Sequence, residues 1–473
     1  MCYKSYSNHI TYCAAQHLPS HQVQLIIFLA TKALICMHKM ASPKRSKDHS
    51  IINIPQPIIY RVPTQVRESG GGQNRVPSPV RGAEGRHQIY DPVLVSLGPY
   101  HYGLTQLKQV EDLKSEILDL LIPDKQQQQL LVTDILQNHS NQIRTFYERL
   151  SIQNDVDLAG MMLSDACFLI YCLKRAADND DNCVVLRRLG MSKLAFVVRD
   201  FFMLENQLPY FIIKMLIPHT CEDLADKSID EYFYELVISM MNSEEKSPQG
   251  RKITHLLDAC RTLLVGESKF EEEKQKSKVV NSQFQSVMDL KAKGVHFRPT
   301  KSKSYRLTDI EFRSHSFYGM LRLPILLLES KTKVILSNII AMEMSPGSRT
   351  DFAVTSYAKF MKSLIMKAED VKELREKGIL VMAWQADDEE VVRMFRELET
   401  EGACRRDIFR GVRERINDHC RSKTKTFKAE LLYTYFRSPW TTIALLAAVL
   451  LLCINCLNFL LNYHRFARQL KRQ

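Results

Sequence analysis

Apolar residues recur every three to four positions through most of this chain, and that recurrence predicts a mainly helical body. Gln106–Leu121 carries Leu107, Val110, Leu113, Ile117, Leu120 and Leu121 on one helical face. Gln126–Gln129 reads as a loop or an exposed helical face. Leu158–Leu173 is apolar nearly throughout and is expected to be a core helix, followed by an acidic loop at Asp178–Asp181. Leu194–Leu216 places Phe201, Leu204, Leu208 and Phe211 on one stripe, with Pro209 expected to kink it. Ile229–Met241, Lys252–Leu264, Ser282–Lys293 (closed by Gly294), Asp351–Lys377 and Asp388–Thr400 continue the helical pattern, and Arg405–Lys428 is basic and amphipathic. Tyr305–Ile310, Met320–Leu328 and Val334–Leu336 are short β-prone runs separated by turn residues at Ser314–Gly319 and Glu329–Lys333. They predict a small antiparallel element lying against the helices, because an isolated hairpin is marginal in water. The fold class is therefore α+β, mainly α.

A different pattern ends the chain. Thr441–Leu461 holds 21 residues without a charge, about 31 Å as a helix, enough for a hydrocarbon core of about 30 Å. Pro439 and Trp440 precede it, suiting a helix start and a headgroup interface. Arg421, Lys423, Lys425, Lys428 and Arg437 flank it on one side, and Arg465, Arg468, Lys471 and Arg472 on the other. The expectation is a transmembrane helix whose partner is membrane lipid, in the plasma membrane or an endomembrane. The flanking charges do not choose an orientation. Asn455 and Asn458 share a face, either to hydrogen-bond a neighbouring helix or as tolerated polarity near the helix end.

Charge changes the picture mainly by where it sits. The net charge of +12 over 473 residues belongs to the ends. Residues 1–88 hold 11 basic and 3 acidic residues, and residues 421–473 hold 9 and 1, which leaves 89–420 at −4. A slightly acidic body without a basic stripe argues against a nucleic-acid partner, whereas cationic flanks suit anionic headgroups. The twelve cysteines are scattered. The one CxxC, Cys453–Cys456, lies inside the apolar run with no second pair to complete a zinc site, and Cys167 and Cys172 read as buried thiols. Reduced thiols favour a cytosolic body.

The expected organisation is a poorly ordered extension over 1–57 and a helical body over 58–420. The body contains a flexible insertion near 64–88 and a charged loop near 267–280. A basic juxtamembrane segment (421–440), the span (441–461) and a short basic tail (462–473) follow. Val23–Cys36 is apolar but broken by Lys32 and lacks a cleavage site, so it is not read as a signal peptide. Met40 is an alternative start, with residues 1–39 an upstream extension.

Several ordered pieces carry a resemblance: IYRVP at Ile59–Pro63, VSLGPYHYG at Val95–Gly103, SDACFLIYCL at Ser164–Leu173 and RDFFMLENQLPYF at Arg199–Phe211. HLLDACR at His255–Arg261, MDLKAKGVHFRP at Met288–Pro299, Gly319–Glu343, DEEV at Asp388–Val391 and the YFRSPW ahead of the span follow in order. Together the chain resembles the plant-specific family catalogued as domain of unknown function 247, over roughly residues 58–461. It departs from the family in the insertion near 64–88 and in having Val110-Glu111 where Met-Glu is usual. The resemblance implies a plant membrane protein with a mainly helical body, some relatives being implicated as pollen or stigma recognition factors in grass self-incompatibility. It implies no catalytic, cofactor-binding or metal-binding residues.

GxSxG, GxxxxGK[ST], HExxH and GxGxxG are absent from the sequence. His101, between Tyr100 and Tyr102, could act as a base, but a packed turn with Gly98 and Gly103 supplying backbone freedom is the preferred reading. Asp200 and Glu205 diverge by about 140° on a continuous helix and so could share a site only with distortion near Pro209. Arg199, Asp200, Glu205 and Asn206 are therefore expected to satisfy one another and nearby backbone. Asp387–Glu390 is read as a helix start that interacts favourably with the helix dipole, in preference to a cation site. No catalytic residue, cofactor or metal is assigned. The reading is a non-enzymatic single-pass membrane protein displaying a surface to an unidentified protein partner. The alternatives are a membrane-tethered hydrolase or transferase, or a lipid-surface sensor working through Arg405–Lys428.

Overall fold

The computed structural model describes residues 89–148, 150, 152–178, 183–221, 227–241, 252–266, 285–300, 306–345, 350–383, 387–400, 407–422 and 439–470. The extension 1–57 with Met40, the IYRVP piece, the insertion 64–88, the loop 267–280 and nearly all of the juxtamembrane segment lie outside these residues.

The chain packs around α4 (Asp155–Ala177), which is buried on nearly every side from Leu158 to Leu173. Its ends are well specified. The Asn154 side chain accepts the Val156 N–H, Asp155 and Asp157 sit in the first turn, and Lys174 and Arg175 in the last, each sign complementing the helix dipole. It is the one described helix long and apolar enough to cross a membrane by composition, and its burial shows that it is the core of the body instead.

The helices packed most extensively against α4 are α1 (Lys108–Leu121), α7 (Tyr210–Thr220) and α8 (Ile229–Met240). α1 turns Val110, Leu113 and Ile117 inward, as its periodicity requires. Between them run α2 (Lys125–Asp134), which contains the glutamine tract, α3 (Ser140–Phe146), α5 (Val184–Leu189) and α6 (Met191–Asp200).

The expected kinked helix over Leu194–Leu216 is two helices. α6 stops at Asp200, a 3-10 turn spans Leu204–Asn206, and Pro209 precedes the first residue of α7. Proline restricts the residue before it, Leu208, to extended backbone, and Gln207 ahead of that is extended as well, at φ −111°, ψ 147°. Its side-chain amide then donates to the carbonyls of Phe201 and Met203, both at 2.7 Å, replacing the helical bonds that the break removes.

Beyond α9 (Leu256–Val265) and α10 (Val287–Ala292), Gly294 takes φ +78° and the chain enters β1 (Val295–Pro299). The β element is mixed, correcting the antiparallel expectation. β2 (Glu311–Ser314) and β3 (Gly319–Leu323) form the hairpin across the expected turn, but β1 joins β3 in parallel, Val295 opposite Gly319 and Phe297 opposite Leu321. A parallel neighbour needs a crossover rather than a turn, and the segment containing β2 supplies it. A second parallel pair joins β4 (Leu326–Leu328) to β5 (Leu380–Met382).

Two expected strands are not strands. Arg306–Ile310 is a turn in which Leu307 N–H donates to Leu264 O. Val334–Leu336 lies in α11 (Thr332–Met344), buried almost all round, where packing overrides the strand preference of branched side chains. The expected long helix Asp351–Lys377 is split into α12 (Ala353–Leu364) and α13 (Ala368–Glu376). Asp370 holds the break by accepting the N–H groups of Met366 (3.1 Å) and Lys367 (3.0 Å) and, from α10, Met288 (2.8 Å). α14 (Asp388–Glu397) and α15 (Arg410–Arg421) complete the body.

α16 (Pro439–Leu470) is a helix of 32 residues. Its described apolar stretch, Leu446–Asn462, spans 17 residues, about 26 Å, and every one of those side chains is exposed. By length that stretch alone falls short of a full crossing, so the fold itself does not establish the expected span.

Candidate functional site

The VSLGPYHYG and RDFFMLENQLPYF pieces, far apart in sequence, meet in one buried polar cluster. The meeting is made by side chains that bind backbone. Asp200, at the end of α6, is fully buried, and one carboxylate oxygen accepts the N–H groups of Val93 (2.9 Å), Leu94 (2.7 Å) and Val95 (3.1 Å). Its other oxygen takes Arg199 Nη2 at 3.0 Å. Burial raises the Asp200 pKa above the ordinary carboxylate range, against the lowering pull of those donors. Asn206 continues the strap: its Oδ1 accepts Leu97 N–H at 2.6 Å, and its Nδ2 donates to Val95 O and Asp200 O.

The next residue of the loop, Gly98, donates its N–H to Asp165 of α4 at 2.8 Å. Asp165 also meets Lys114 of α1 at 2.6 Å, and the fully buried Lys114 ammonium donates in addition to Ser96 O (2.5 Å) and Glu111 (2.6 Å). Burial pushes Asp165 up to about 6 despite the lysine, while the two carboxylates outweigh burial at Lys114 and hold its pKa above the ordinary value. Gly98 has φ +73°, and a side chain there would meet Tyr147 Oη at 3.0 Å and Gln207 O at 3.1 Å. Only glycine fits that place.

The predicted candidates separate inside this frame. His101 is buried, Tyr100 packs edge-on against Tyr147 with ring centres 5.6 Å apart, and Tyr102 is exposed. Asp200 turns to the loop backbone, as expected for Arg199, Asp200 and Asn206. Glu205 turns instead to His101, Nε2 to Oε2 3.6 Å, and Asp91 joins them so that one ligand atom from each lies within 4.8 Å of the others. A His with two carboxylates is a donor set suited to a borderline or hard divalent cation. The His101–Glu205 separation is longer than a hydrogen bond, and Asp200 turns to the loop backbone.

Asp387 caps α14 by accepting Glu390 N–H at 2.6 Å, and Asp388 pairs with Arg375 at 3.0 Å, as a solvated helix start should. Cys167 and Cys172 are buried thiols with pKa values raised by burial, and Cys453 and Cys456 are exposed on α16.

Sequence reasoning missed Lys114, Asp165, Asn338, Glu343 and Asp91. Each of the first four leaves a signal, a polar residue inside an apolar stripe. Asn338 accepts Leu204 N–H at 2.9 Å and donates to Ile89 O at 2.8 Å. Glu343 accepts Arg261 Nε (2.8 Å), Thr355 N–H (2.8 Å) and the Thr355 hydroxyl (2.6 Å), and Arg261 also pairs with Asp351. The chemistry these side chains perform is to hold loops and helix ends.

A family model described as a plant protein of unknown function matches residues 74–454. A UPF0481 protein of Arabidopsis thaliana is 23% identical over 405 residues, covering 78% of this chain and 82% of its own length. A putative UPF0481 protein of the same plant is 23% identical over 482 residues, covering 80% of this chain and 88% of its own. No solved structure matches.

Proposed function

We propose, for a chain that belongs to the plant family of unknown function catalogued as DUF247, a non-enzymatic single-pass membrane protein whose helical body offers a recognition surface to a protein partner. The observation that carries this reading is α16. From Leu446 to Asn462 its side chains are exposed and are apolar over most of the circumference, including Leu450, Leu452, Leu457 and Phe459. So wide an apolar surface is stable in water only when covered, and lipid covers those apolar side chains without a specific surface. The uncharged run extends to Thr441 at one end, and arginines and lysines stand on both sides, where headgroups would meet them.

The body supports a scaffold role. The motif residues Asp165, Asp200, Asn206 and Gln207 are engaged by backbone groups and, for the two aspartates, by Lys114 and Arg199, which favours a rigid platform over a reactive site. Buried free thiols at Cys167, Cys172 and Cys260 suit a reducing compartment, which supports a body on the cytosolic side.

The test is carbonate extraction of microsomes containing the full chain, followed by protease protection. The chain is expected in the carbonate pellet with its body open to added protease. Release by carbonate overturns the anchor, and protection of the body in sealed vesicles overturns its side. Proximity labelling from the body is expected to return reproducible protein neighbours, and their absence counts against recognition.

A further inference from the structure

Between Ala444 and Asn462 the polar residues of α16 do not scatter around it. At about 100° per residue, Ala444, Ala448, Leu451, Asn455, Asn458 and Asn462 fall within an arc of about 80°. They are spaced alternately by four and three residues, the repeat by which two helices pack along a seam. The rest of the circumference between Ala444 and Asn462 is Leu, Ile, Val, Phe, Ala and Cys. All six seam side chains are exposed.

In hydrocarbon this arrangement asks for a specific neighbour. A carboxamide is both donor and acceptor, and acyl chains offer it neither. Lipid can cover the leucines but not three asparagines on one stripe. The partner must present amide-like groups at matching depths, on a face narrow enough to seat beside Ala444 and Ala448, where small side chains let backbones approach. A second copy of this chain meets all of these requirements by identity. Two copies inserted in one membrane share orientation and depth, so Asn455 faces Asn455 and Asn458 faces Asn458.

We propose that α16 pairs in parallel with α16 of a second copy through the Ala444–Ala448–Leu451–Asn455–Asn458–Asn462 seam, making the protein a membrane homodimer. The inference rests on the anchored reading of α16. Cys453 and Cys456 lie at about 180° and 120° from the seam centre and face lipid in the pair. Pairing would place two bodies side by side on one membrane face, so a recognition surface on the body is presented twice.

The experiment uses the full chain in membranes, co-expressed with two different tags, with energy transfer between fluorophores fused after Gln473 as the second readout. Wild-type copies are expected to co-purify in mild detergent and to show energy transfer. Asn455→Leu/Asn458→Leu is expected to weaken association about tenfold or more while staying in the carbonate pellet. Leu450→Ala and Leu457→Ala, off the seam, are expected to pair like wild type. Undiminished pairing of the double asparagine variant overturns the proposal. So does a wild type that resists carbonate yet shows neither co-purification nor energy transfer, and in that case the anchor stands. A wild type released by carbonate fails the anchor first and removes the pairing with it.

Discussion

Replacing Lys114 by methionine removes a buried ammonium while keeping most of its volume. In the native chain that ammonium is fully buried and donates to Asp165, Glu111 and the Ser96 carbonyl at 2.5–2.6 Å. The variant leaves Asp165 buried with the Gly98 N–H as its remaining named donor. Breaking a buried pair by removing one partner costs about 3–5 kcal/mol, because the stranded charge keeps its desolvation penalty. The cost should also depend on pH. Burial already raises Asp165 to about 6, and without the lysine its folded pKa climbs further. A carboxyl whose folded pKa lies above its unfolded value contributes stability that is present below the unfolded pKa and lost as pH rises through the folded one. The variant's deficit is therefore largest near pH 8 and shrinks toward pH 5, where Asp165 is protonated. Urea denaturation of the full chain in detergent at the two pH values, followed by tryptophan-independent far-UV circular dichroism, measures it. A deficit below about 1 kcal/mol, or one equal at both pH values, would refute the reasoning.

Three further outcomes follow from the same geometry. Gly98→Ala, which combines φ +73° with contacts at 3.0 and 3.1 Å, should cost about 2–4 kcal/mol, whereas Gly103→Ala, at φ +78° with open space, should cost about 1, both read by denaturation midpoint. Tyr357→Phe should be neutral or gain up to about 1 kcal/mol, since the Tyr357 hydroxyl is buried without a hydrogen-bond partner among the described residues; a loss above that would show the hydroxyl is satisfied. Burial lowers His255 to about 4, so its contribution is full above its unfolded value near 6.5 and is lost as pH falls toward 4; the neutral ring accepts Asp258 N–H at 3.2 Å. His255→Asn, which can keep that cap, should flatten the acid-side loss of stability by about 2–3 kcal/mol relative to wild type in a pH series of denaturation curves.

The helices α1, α4, α8, α9 and α14 were legible because each buries a face whose period is written locally in the residues. The breaks were harder. A stripe through Phe201, Leu204 and Leu208 reads as helix, and what ends the helix is Pro209 together with side chains binding carbonyls, a tertiary fact. β1 was missed because VHFRP is five residues with two inward positions, and it is a strand only because β3 lies beside it. The GPYHYG and LENQLPYF pieces stood out in the sequence, yet their meeting depends on Asp200 reaching a loop more than a hundred residues earlier. Lys114 and Asp165 were passed over because a charge in an apolar stripe has no local explanation. Its explanation is the partner across the core.

That long-range strapping bears on how the chain is made. Residues 93–98 leave the ribosome 105–109 residues ahead of the Asp200 and Asn206 groups that fix Val93–Val95 and Leu97. At about 5–20 residues per second, this segment waits about 5–20 s for those partners. During that interval its backbone donors and the apolar flank of α1 are uncommitted. The loop therefore cannot settle until Asp200 and Asn206 have emerged, and nascent-chain companions that shield unpaired segments have work to do there in that interval.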